Sequence, residues 1–409
     1  MTKMGSLTIT DLPMNRETLS LTGLCAKERG IVAALPSTVV PGFRWDRFLD
    51  AASRHKVTGL VHQAFSSGHA PAPTRDVLVQ LKREAASKVA VKALLLAEWK
   101  RVDEALQAAS IRVLMVKGPA LALQLYGAPC AREFRDIDLM VDAGAVERVI
   151  EVFTSLGYET LYLDSAVGTT KRKFLIATLR HIVFKKKGFP AFFEVHGMKG
   201  ADIGLAPIGI EEAFVRSERL YFEGMSFPTL GRDDHALLVL LHGAYHSWCT
   251  LQWVLDASVL LENVSLQLLP EPNKTWFGLD PQYVLDSFAL LARRLFSLPA
   301  LDSLYPPEGP RMRKATAFSE YALAQLAGDG ADPTNYMAII ESKIAQSRLY
   351  RGFIPKLRSW SWIVTPNCND IEAFRGADPP LIVYYLARPL LVLARIAGRL
   401  ADRNGVRKT

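Results

Sequence analysis

The sequence predicts an α+β protein in which a middle section of short strands lies between two helical regions. Three observations support this prediction. Apolar residues recur at a spacing near 3.6 in the front quarter, which is typical of helices that bury one face. Short β-branched runs separated by turns occupy residues 111–198, and apolar helical patterns resume at Arg232 and continue to the end of the chain.

Length and charge limit the class of protein further. A chain of 409 residues exceeds what a single core needs, so we divide it into an N-terminal helical region (1–95), a core (96–230) and a C-terminal helical domain (231–409). The formal charge of +8 suits anionic partners such as nucleotides, nucleic acids or acidic membranes. The four cysteines form no CxxC pair and the first residues lack a basic-then-apolar signal pattern, so we predict a reducing, cytoplasmic environment.

The middle section opens with a predicted strand, turn and helix. The β-branched run 111–116 is followed by Gly118, with Pro119 at a first helical turn. A helix N-terminus reached through a glycine is a ready anion site, and Lys117 would add a positive charge beside it. We place the ring of Tyr126 at the end of a buried face of this helix.

A second predicted strand carries two aspartates on one face. Because alternate residues of a strand point to the same side, Asp136 and Asp138 lie together and Ile137 is buried on the other side. Two carboxylates so placed can share divalent cations, and Mg²⁺ prefers a few carboxylates plus substrate oxygens. The pattern alone is weak, since about four acid-x-acid pairs are expected by chance. The surrounding residues must therefore decide its meaning.

Those surroundings favour a site that handles phosphate. Arg132 and Arg135 flank the aspartates, and the planar fork of arginine suits bidentate phosphate contacts. Glu194 lies on the second strand of a predicted hairpin, where it could complete an acidic triad or simply pair with a nearby lysine. His196 shares its face and either contacts the acceptor or packs in support of the site.

The segments "KGPAL", "LYG", "REFRDIDLMV", "LGY" and "FFEVH" together resemble the nucleotidyltransferase superfamily of the DNA polymerase β type. Within it, they are most similar to a poorly characterised bacterial group with the pattern KG, R, DIDL and ExH. The likeness continues through "LLVLLHGAYHSWCTLQWVLDASVLL" to "YYLARPL" and covers roughly residues 95 to 400. It implies a small mixed sheet flanked by helices, an NTP as co-substrate, and Mg²⁺ or Mn²⁺ as the metal.

The resemblance also implies a role for each matching residue. Asp136 and Asp138 match the two metal-binding aspartates, and Glu194 matches the third acid, so all three become catalytic and metal-binding candidates. The turn of the superfamily usually contains Gly-Gly or Gly-Ser, and the proline here removes one backbone donor. The predicted nucleotide-binding residues are Lys117, Gly118, Pro119, Arg132, Arg135 and His196.

Three histidines downstream form a second candidate group. His235, His242 and His246 are separated by seven and four residues, so they would lie near one helix face. A zinc protease motif requires Glu at position 243, where the sequence has Gly243. We therefore predict that this helix packs beside the nucleotide cleft, with His242 or His246 as possible substrate contacts. Asp256 could form a salt bridge between helices.

The C-terminal stretch 380–403 is strongly apolar. Arg388 and Pro389 interrupt it well short of the roughly 20 apolar residues that a transmembrane helix needs. Two arrangements stay open: a buried helix whose basic stripe borders the nucleotide site, or an amphipathic helix resting on anionic lipid as a peripheral membrane contact.

The resemblance predicts an enzyme that transfers an NMP from an NTP to an unidentified acceptor, with release of pyrophosphate. The acceptor could be a small molecule, a peptide or a protein. One alternative is a catalytically weak nucleotide-binding or interaction module of the same fold, which the Gly118–Pro119 turn favours. Another is a tRNA-modifying, toxin-like nucleotidyltransferase; its basic charge is compatible, but no RNA-binding motif with interleaved aromatic residues supports it.

Overall fold

A computed structural model describes residues 14–33, 42–68, 73–161, 163, 172, 181–198, 209–263, 279–297, 308–328, 336–366, 370, 374 and 379–406. The front part is helical, as predicted. Its helices are α1 (Arg16–Glu28), α2 (Trp45–Arg54), α3 (Thr58–Ser66) and α4 (Arg75–Ala108). The side chain of Asn15 accepts a hydrogen bond from the Thr18 backbone N–H at 2.8 Å, which satisfies a free donor at the start of α1.

The middle section forms a mixed sheet, which confirms the α+β prediction. The strands of the described residues that build it are β2 (Val113–Met115), β3 (Asp136–Asp142), β4 (Glu159–Thr160), β5 (Ile182–Lys185), β6 (Phe192–Met198), β7 (Glu218–Phe222) and β8 (Met225–Thr229). Their order is β4-β5-β6-β3-β2-β8-β7. The pairs β3–β6 and β2–β8 are parallel and the other pairs are antiparallel. The predicted hairpin of β5 and β6 is among the antiparallel pairs.

Among the described residues, the α-helices between these strands are α5 (Pro119–Tyr126), α6 (Val146–Ser155) and α7 (Ile210–Val215). Gly118 precedes α5 with φ +64°, a backbone conformation that costs glycine little. A Cβ atom at this position would lie 3.2 Å from the backbone oxygen of Asp136. Glycine is therefore required both by the turn and by the close approach of β3, and Pro119 takes the first helical position as predicted.

The C-terminal part is again helical, with α8 (Arg232–Tyr245), α9 (Leu251–Asn263), α10 (Pro281–Leu295), α11 (Pro310–Ala327), α12 (Tyr336–Gln346), α13 (Phe353–Ser359) and α14 (Leu381–Val406). A short strand β9 (Phe296–Ser297) follows α10 and pairs with β1 (Val32–Ala33). The sequence pattern ran without a break through α8 and α9. The helix is interrupted between α8 and α9 because Ser247 and Trp248 both adopt φ +53°, and the Trp248 ring packs against Gly243.

Two apolar clusters lie on opposite faces of the sheet. Ile137, Leu139 and Val141 pack with residues of α4 and α6 in one cluster, so the predicted burial of Ile137 is correct. In the other cluster, Leu114 and Met140 pack with residues of α1–α3 and α8–α11. Met140 shares its face with the two aspartates of β3 because side chains alternate along a strand. Helices from both ends of the chain thus cover the face that carries the aspartates.

The predicted division at 95/96 lies inside α4, which continues without interruption from Arg75 to Ala108. The cluster that contains Leu114 also joins helices of the first and third predicted units. The division into three units stays a prediction.

The helix α14 turns Arg388 and Arg395 inward and exposes apolar residues. Arg388 is 3% exposed and donates to Asp370 Oδ1 at 2.9 Å, and Arg395 donates to the same oxygen at 2.8 Å. No helix among the described residues is long and apolar enough to cross a membrane. The predicted membrane contact through 380–403 stays a prediction. The large apolar side chains of α13 and α14 that are more than half exposed are Phe353, Ile354, Leu357, Ile382, Leu386, Leu390 and Leu393.

Candidate active site

The pairing of β3 with β6 brings three carboxylates to one face of the sheet. Asp138 is directly opposite Glu194 in the parallel register, and Asp136 lies two residues earlier on the same strand. Side chains two residues apart on a strand point to the same face, and directly paired residues do so as well. The structure therefore brings together the three acidic residues that the sequence analysis selected, although 56 positions separate Asp138 from Glu194.

Asp138 is the most constrained of the three. Its side chain is nearly buried, and its Oδ1 lies 3.2 Å from Lys117 Nζ and 3.1 Å from His196 Nε2. Burial by itself raises the pKa of this carboxyl group. The charge and hydrogen bonds of Lys117 and His196 outweigh burial and hold the pKa of Asp138 well below its usual value. Asp138 is therefore ionised throughout the physiological pH range.

The other two carboxylates experience an excess of negative charge. Burial and the charge of Asp138 raise the pKa of Asp136, although Lys56, Lys117 and Arg132 partly offset this. Burial, followed by the charges of Asp138 and Asp136, raises the pKa of Glu194 to about 7. A divalent cation would relieve this repulsion, so the donor set fits the metal that the resemblance implies.

The predicted phosphate turn adjoins these carboxylates. The backbone N–H of Val116 donates to the backbone carbonyl oxygen of Asp138 at 2.9 Å, which fixes the end of β2 against β3. Lys117, the next residue, is mostly buried and directs its ammonium group to Asp138. Gly118 and Pro119 follow at the start of α5. Because Pro119 has no N–H, the first-turn donors of this helix that remain are those of Ala120 and Leu121.

Arg132 lies in a buried network around Asp256, whose predicted salt bridge is formed with this residue outside the helices rather than between two helices. Its Nε and one terminal nitrogen donate to Asp256 Oδ2 at 3.1 and 2.9 Å, and the Tyr126 hydroxyl donates to Asp256 Oδ1 at 2.6 Å. Arg132 is 7% exposed. A second arginine, Arg29, joins the network through its guanidinium group, which lies 3.5 Å from the Tyr126 ring centre. The hydrogen bonds of Arg132 thus go to Asp256, while its charge still lowers the pKa of Asp136. Its phosphate contact stays a prediction, as does that of the exposed Arg135.

The three histidines downstream do not share one environment. His235 is fully buried, with Nδ1 2.6 Å from Gln124 Oε1 and Nε2 3.0 Å from the Val116 oxygen. Burial lowers its pKa to about 4. His242 and His246 instead form a ring cluster with Trp253, with centroid distances of 4.5 to 5.1 Å. The charges of Lys117 and Lys56 contribute, after burial, to lowering the pKa of His242, so this cluster lies near the lysines of the site.

Lys56 is a candidate that the sequence analysis missed. It is an exposed residue with φ +58° in the turn between α2 and α3, and its Nζ lies 6.0 Å from the Trp253 ring centre. The buried His55 before it fixes the turn: its Nδ1 accepts from the Leu251 N–H at 3.2 Å and its backbone oxygen from the Gln252 N–H at 3.3 Å. No local motif marks Lys56, because only the docking of this turn on α9 brings its charge to the acidic residues.

His181 is the second missed residue. It lies just before β5, where the pairing of β5 with β6 brings it beside His196, with ring centroids 5.3 Å apart. Its Nε2 is 3.9 Å from Glu194 Oε1. The sequence contained a usable signal, since the predicted hairpin "RHIVFKKKGFPAFFEVHG" already includes His181.

Comparison with known proteins agrees with this geometry. A family model described as an uncharacterised nucleotidyltransferase matches residues 41–269, which is more than half of the chain. The matched range includes α2 to α9 and therefore the whole group of acidic residues together with Lys56. No curated protein and no solved structure matches the chain.

Proposed function

Since the chain belongs to this nucleotidyltransferase family and is therefore a transferase of phosphorus-containing groups, we propose that it transfers an NMP from an NTP to an acceptor hydroxyl or phosphate. The acceptor oxygen forms a bond to the α-phosphorus. The bond between the α-phosphorus and the oxygen that bridges it to the β-phosphorus breaks, and pyrophosphate leaves. The observation that carries this proposal is the pairing of Asp138 with Glu194, which adds a third carboxylate to the two aspartates of β3.

Asp136, Asp138 and Glu194 are the residues that would hold Mg²⁺ in this proposal. When bound, the metal would neutralise the charge of the triphosphate and act as a Lewis acid on the reacting phosphate group. Lys117 would exchange its contact with Asp138 for a phosphate oxygen once a cation occupies the carboxylates. Lys56 would neutralise a second part of the triphosphate charge, since its charge also lowers the pKa of Asp136 and of Glu194.

Glu194 is the candidate for taking the proton of the acceptor. Burial and the charges of Asp138 and Asp136 raise its pKa to about 7 in the metal-free site, and a cation held by the three carboxylates would lower this pKa, so that Glu194 would meet the acceptor proton as an ionised carboxylate. His196 would hold Asp138 in position through the 3.1 Å contact rather than take part in proton transfer. We include a cytoplasmic location in the proposal because Cys25, Cys130 and Cys249, the described cysteines, are not in disulfides.

The direct test incubates the protein and Mg²⁺ with each of the four labelled NTPs and a set of candidate acceptors. We expect a mass shift of one NMP on an acceptor and an equal amount of pyrophosphate. Asp136→Asn and Asp138→Asn should abolish both products. Asp50→Asn, which changes an exposed aspartate of α2, is the matched control and should leave them unchanged. Undiminished transfer by both active-site variants would contradict the metal-binding role.

The second candidate, a nucleotide-binding module without transfer activity, is favoured by Pro119. The incubation with labelled NTPs separates the binding module from the transferase, because a binding module retains labelled NTP without forming pyrophosphate. Pro119→Ser adds a backbone donor and a hydroxyl to the turn. If the turn limits catalysis, this variant should transfer faster than the wild type. The third candidate function is transfer to tRNA. In that case, incubation with total tRNA and labelled NTPs should yield labelled RNA.

A further inference from the structure

Two imidazoles and one carboxylate meet at the edge of the acidic site. The ligand atoms of His181, Glu194 and His196 all lie within 4.8 Å of one another. Both histidines belong to the same sheet face because Ile182 pairs with Val195, and continuing that antiparallel register by one residue sets His181 opposite His196. The fold itself therefore brings these side chains together, and their proximity does not depend on one flexible rotamer.

One ring nitrogen of His196 is available to bind a ligand. Its Nε2 contacts Asp138, whereas its buried Nδ1 has no hydrogen-bond partner among the residues that the structure describes. A buried polar atom without a partner costs about 1 to 3 kcal/mol, so such an atom is uncommon unless something else binds there. His196 is 6% exposed, and neighbouring side chains therefore restrict how far its ring can turn.

The chemistry of the three groups selects a class of ion. Mg²⁺ prefers oxygen ligands, whereas imidazole nitrogen binds first-row transition ions such as Mn²⁺, Co²⁺ and Zn²⁺ well. Two neutral imidazoles also add ligands without adding negative charge to a face that already holds three carboxylates. A transition ion at this point would neutralise Glu194 while leaving Asp136 and Asp138 to the nucleotide.

We infer that His181, Glu194 and His196 bind a divalent transition-metal ion beside the two aspartates of β3, so that the protein selects Mn²⁺ over Mg²⁺. This inference concerns the site of the proposed function and rests on that site's location, but it makes a claim about equilibrium metal binding that needs no transfer reaction. His181 becomes a metal ligand through its position opposite His196.

The test uses the full chain, freed of tag and metal, without nucleotide. Electron paramagnetic resonance of free Mn²⁺ gives the affinity, and competition with Mg²⁺ gives the selectivity. We expect Mn²⁺ to bind at least about tenfold more tightly than Mg²⁺, and His181→Gln to weaken Mn²⁺ binding by about tenfold or more. His62→Gln, on α3 and away from the cluster, is the matched control and should leave the affinity unchanged.

A spectroscopic measurement shows which atoms bind. Co²⁺ added to the wild type should give visible absorption bands typical of nitrogen ligation, and these bands should change in His181→Gln, which is partly exposed and should fold normally. Equal Mn²⁺ affinity in wild type and His181→Gln would overturn the inference, as would unchanged Co²⁺ bands. The transfer assay with Asp136→Asn is independent of both readouts, so failure of the proposed function and failure of this metal site are distinguishable.

Discussion

Asp138 and Asp256 are both buried carboxylates with cationic partners, yet their surroundings differ in net charge. Asp256 is satisfied by Arg132 and Tyr126, and this cluster is balanced. Asp138 is satisfied by Lys117 and His196, but Asp136 and Glu194 beside it raise the negative charge beyond what the lysines offset. One cluster resembles a structural ion pair, whereas the other has an excess of negative charge that a divalent cation would offset.

The comparison teaches that burial of an ion pair does not by itself mark a functional site. Removal of one partner from a balanced buried pair leaves an uncompensated charge and destabilises the fold. Removal of a negative charge from a crowded acidic group relieves repulsion instead. Loss of activity and loss of stability should therefore separate between the two clusters.

The largest effect is expected for Asp136→Asn, on activity alone. Transfer should fall by about a thousandfold or more, because the loss of a metal-binding carboxylate removes transition-state stabilisation. The free energy of unfolding should stay constant or rise, since the pKa of Asp136 is raised and its charge is unfavourable in the metal-free fold. Turnover and urea unfolding in EDTA check the two parts. A variant that loses activity only because it unfolds would contradict the proposed charge excess.

The next effect is expected for Asp256→Asn, on stability. This variant leaves Arg132 buried beside a neutral amide, and we expect a loss of about 3 to 5 kcal/mol in the free energy of unfolding. Urea unfolding at pH 7 measures it, with Asp50→Asn as the exposed control. A loss below about 1 kcal/mol would show that the pair is dispensable for the fold.

A smaller effect is expected for Lys56→Met, on nucleotide binding. An exposed lysine that neutralises phosphate should contribute about 1 to 1.4 kcal/mol, so KM for the NTP should rise roughly tenfold with kcat nearly unchanged. Lys82→Met, on an exposed position of α4, is the matched control. An unchanged KM would remove Lys56 from the nucleotide site and leave its proximity to Asp136 without a role in binding.

An effect of similar size concerns Glu194 and pH. Because the pKa of Glu194 is raised from 4.5 to about 7 in the fold, the folded state holds this proton more tightly than the unfolded chain. Its contribution to stability therefore declines as pH rises from about 4.5 to about 7, and the loss is complete above that range. Relative to Glu194→Gln, the metal-free wild type should lose on the order of 1 to 2 kcal/mol between pH 5 and pH 8.

Urea midpoints in EDTA measure this difference, and Glu159→Gln on an exposed position of β4 is the control. Parallel pH profiles for the wild type and the Glu194 variant would mean that Glu194 ionises at its ordinary pKa. In that case the crowding of the three carboxylates would be weaker than their burial indicates.

Much of the local structure followed from sequence patterns. The alternation around Asp136 and Asp138, the glycine before Pro119 and the hairpin ahead of Glu194 each depend on residues close together in the chain. The break between α8 and α9 was missed because both segments have the same helical pattern. Only the packing of the Trp248 ring on Gly243 shows why the chain turns there.

The sequence by itself determined the face of the candidate active site: which strands carry the three acidic residues, where the glycine turn lies, and that Ile137 points away from the two aspartates. These features depend on backbone geometry and alternation, which act over a few residues. The tertiary structure decided which distant groups reach that face. Lys56 arrives through the docking of His55 on α9, and Arg132 is engaged by Asp256, which follows it by 124 positions. Such contacts depend on how the helices pack, and no local pattern encodes them.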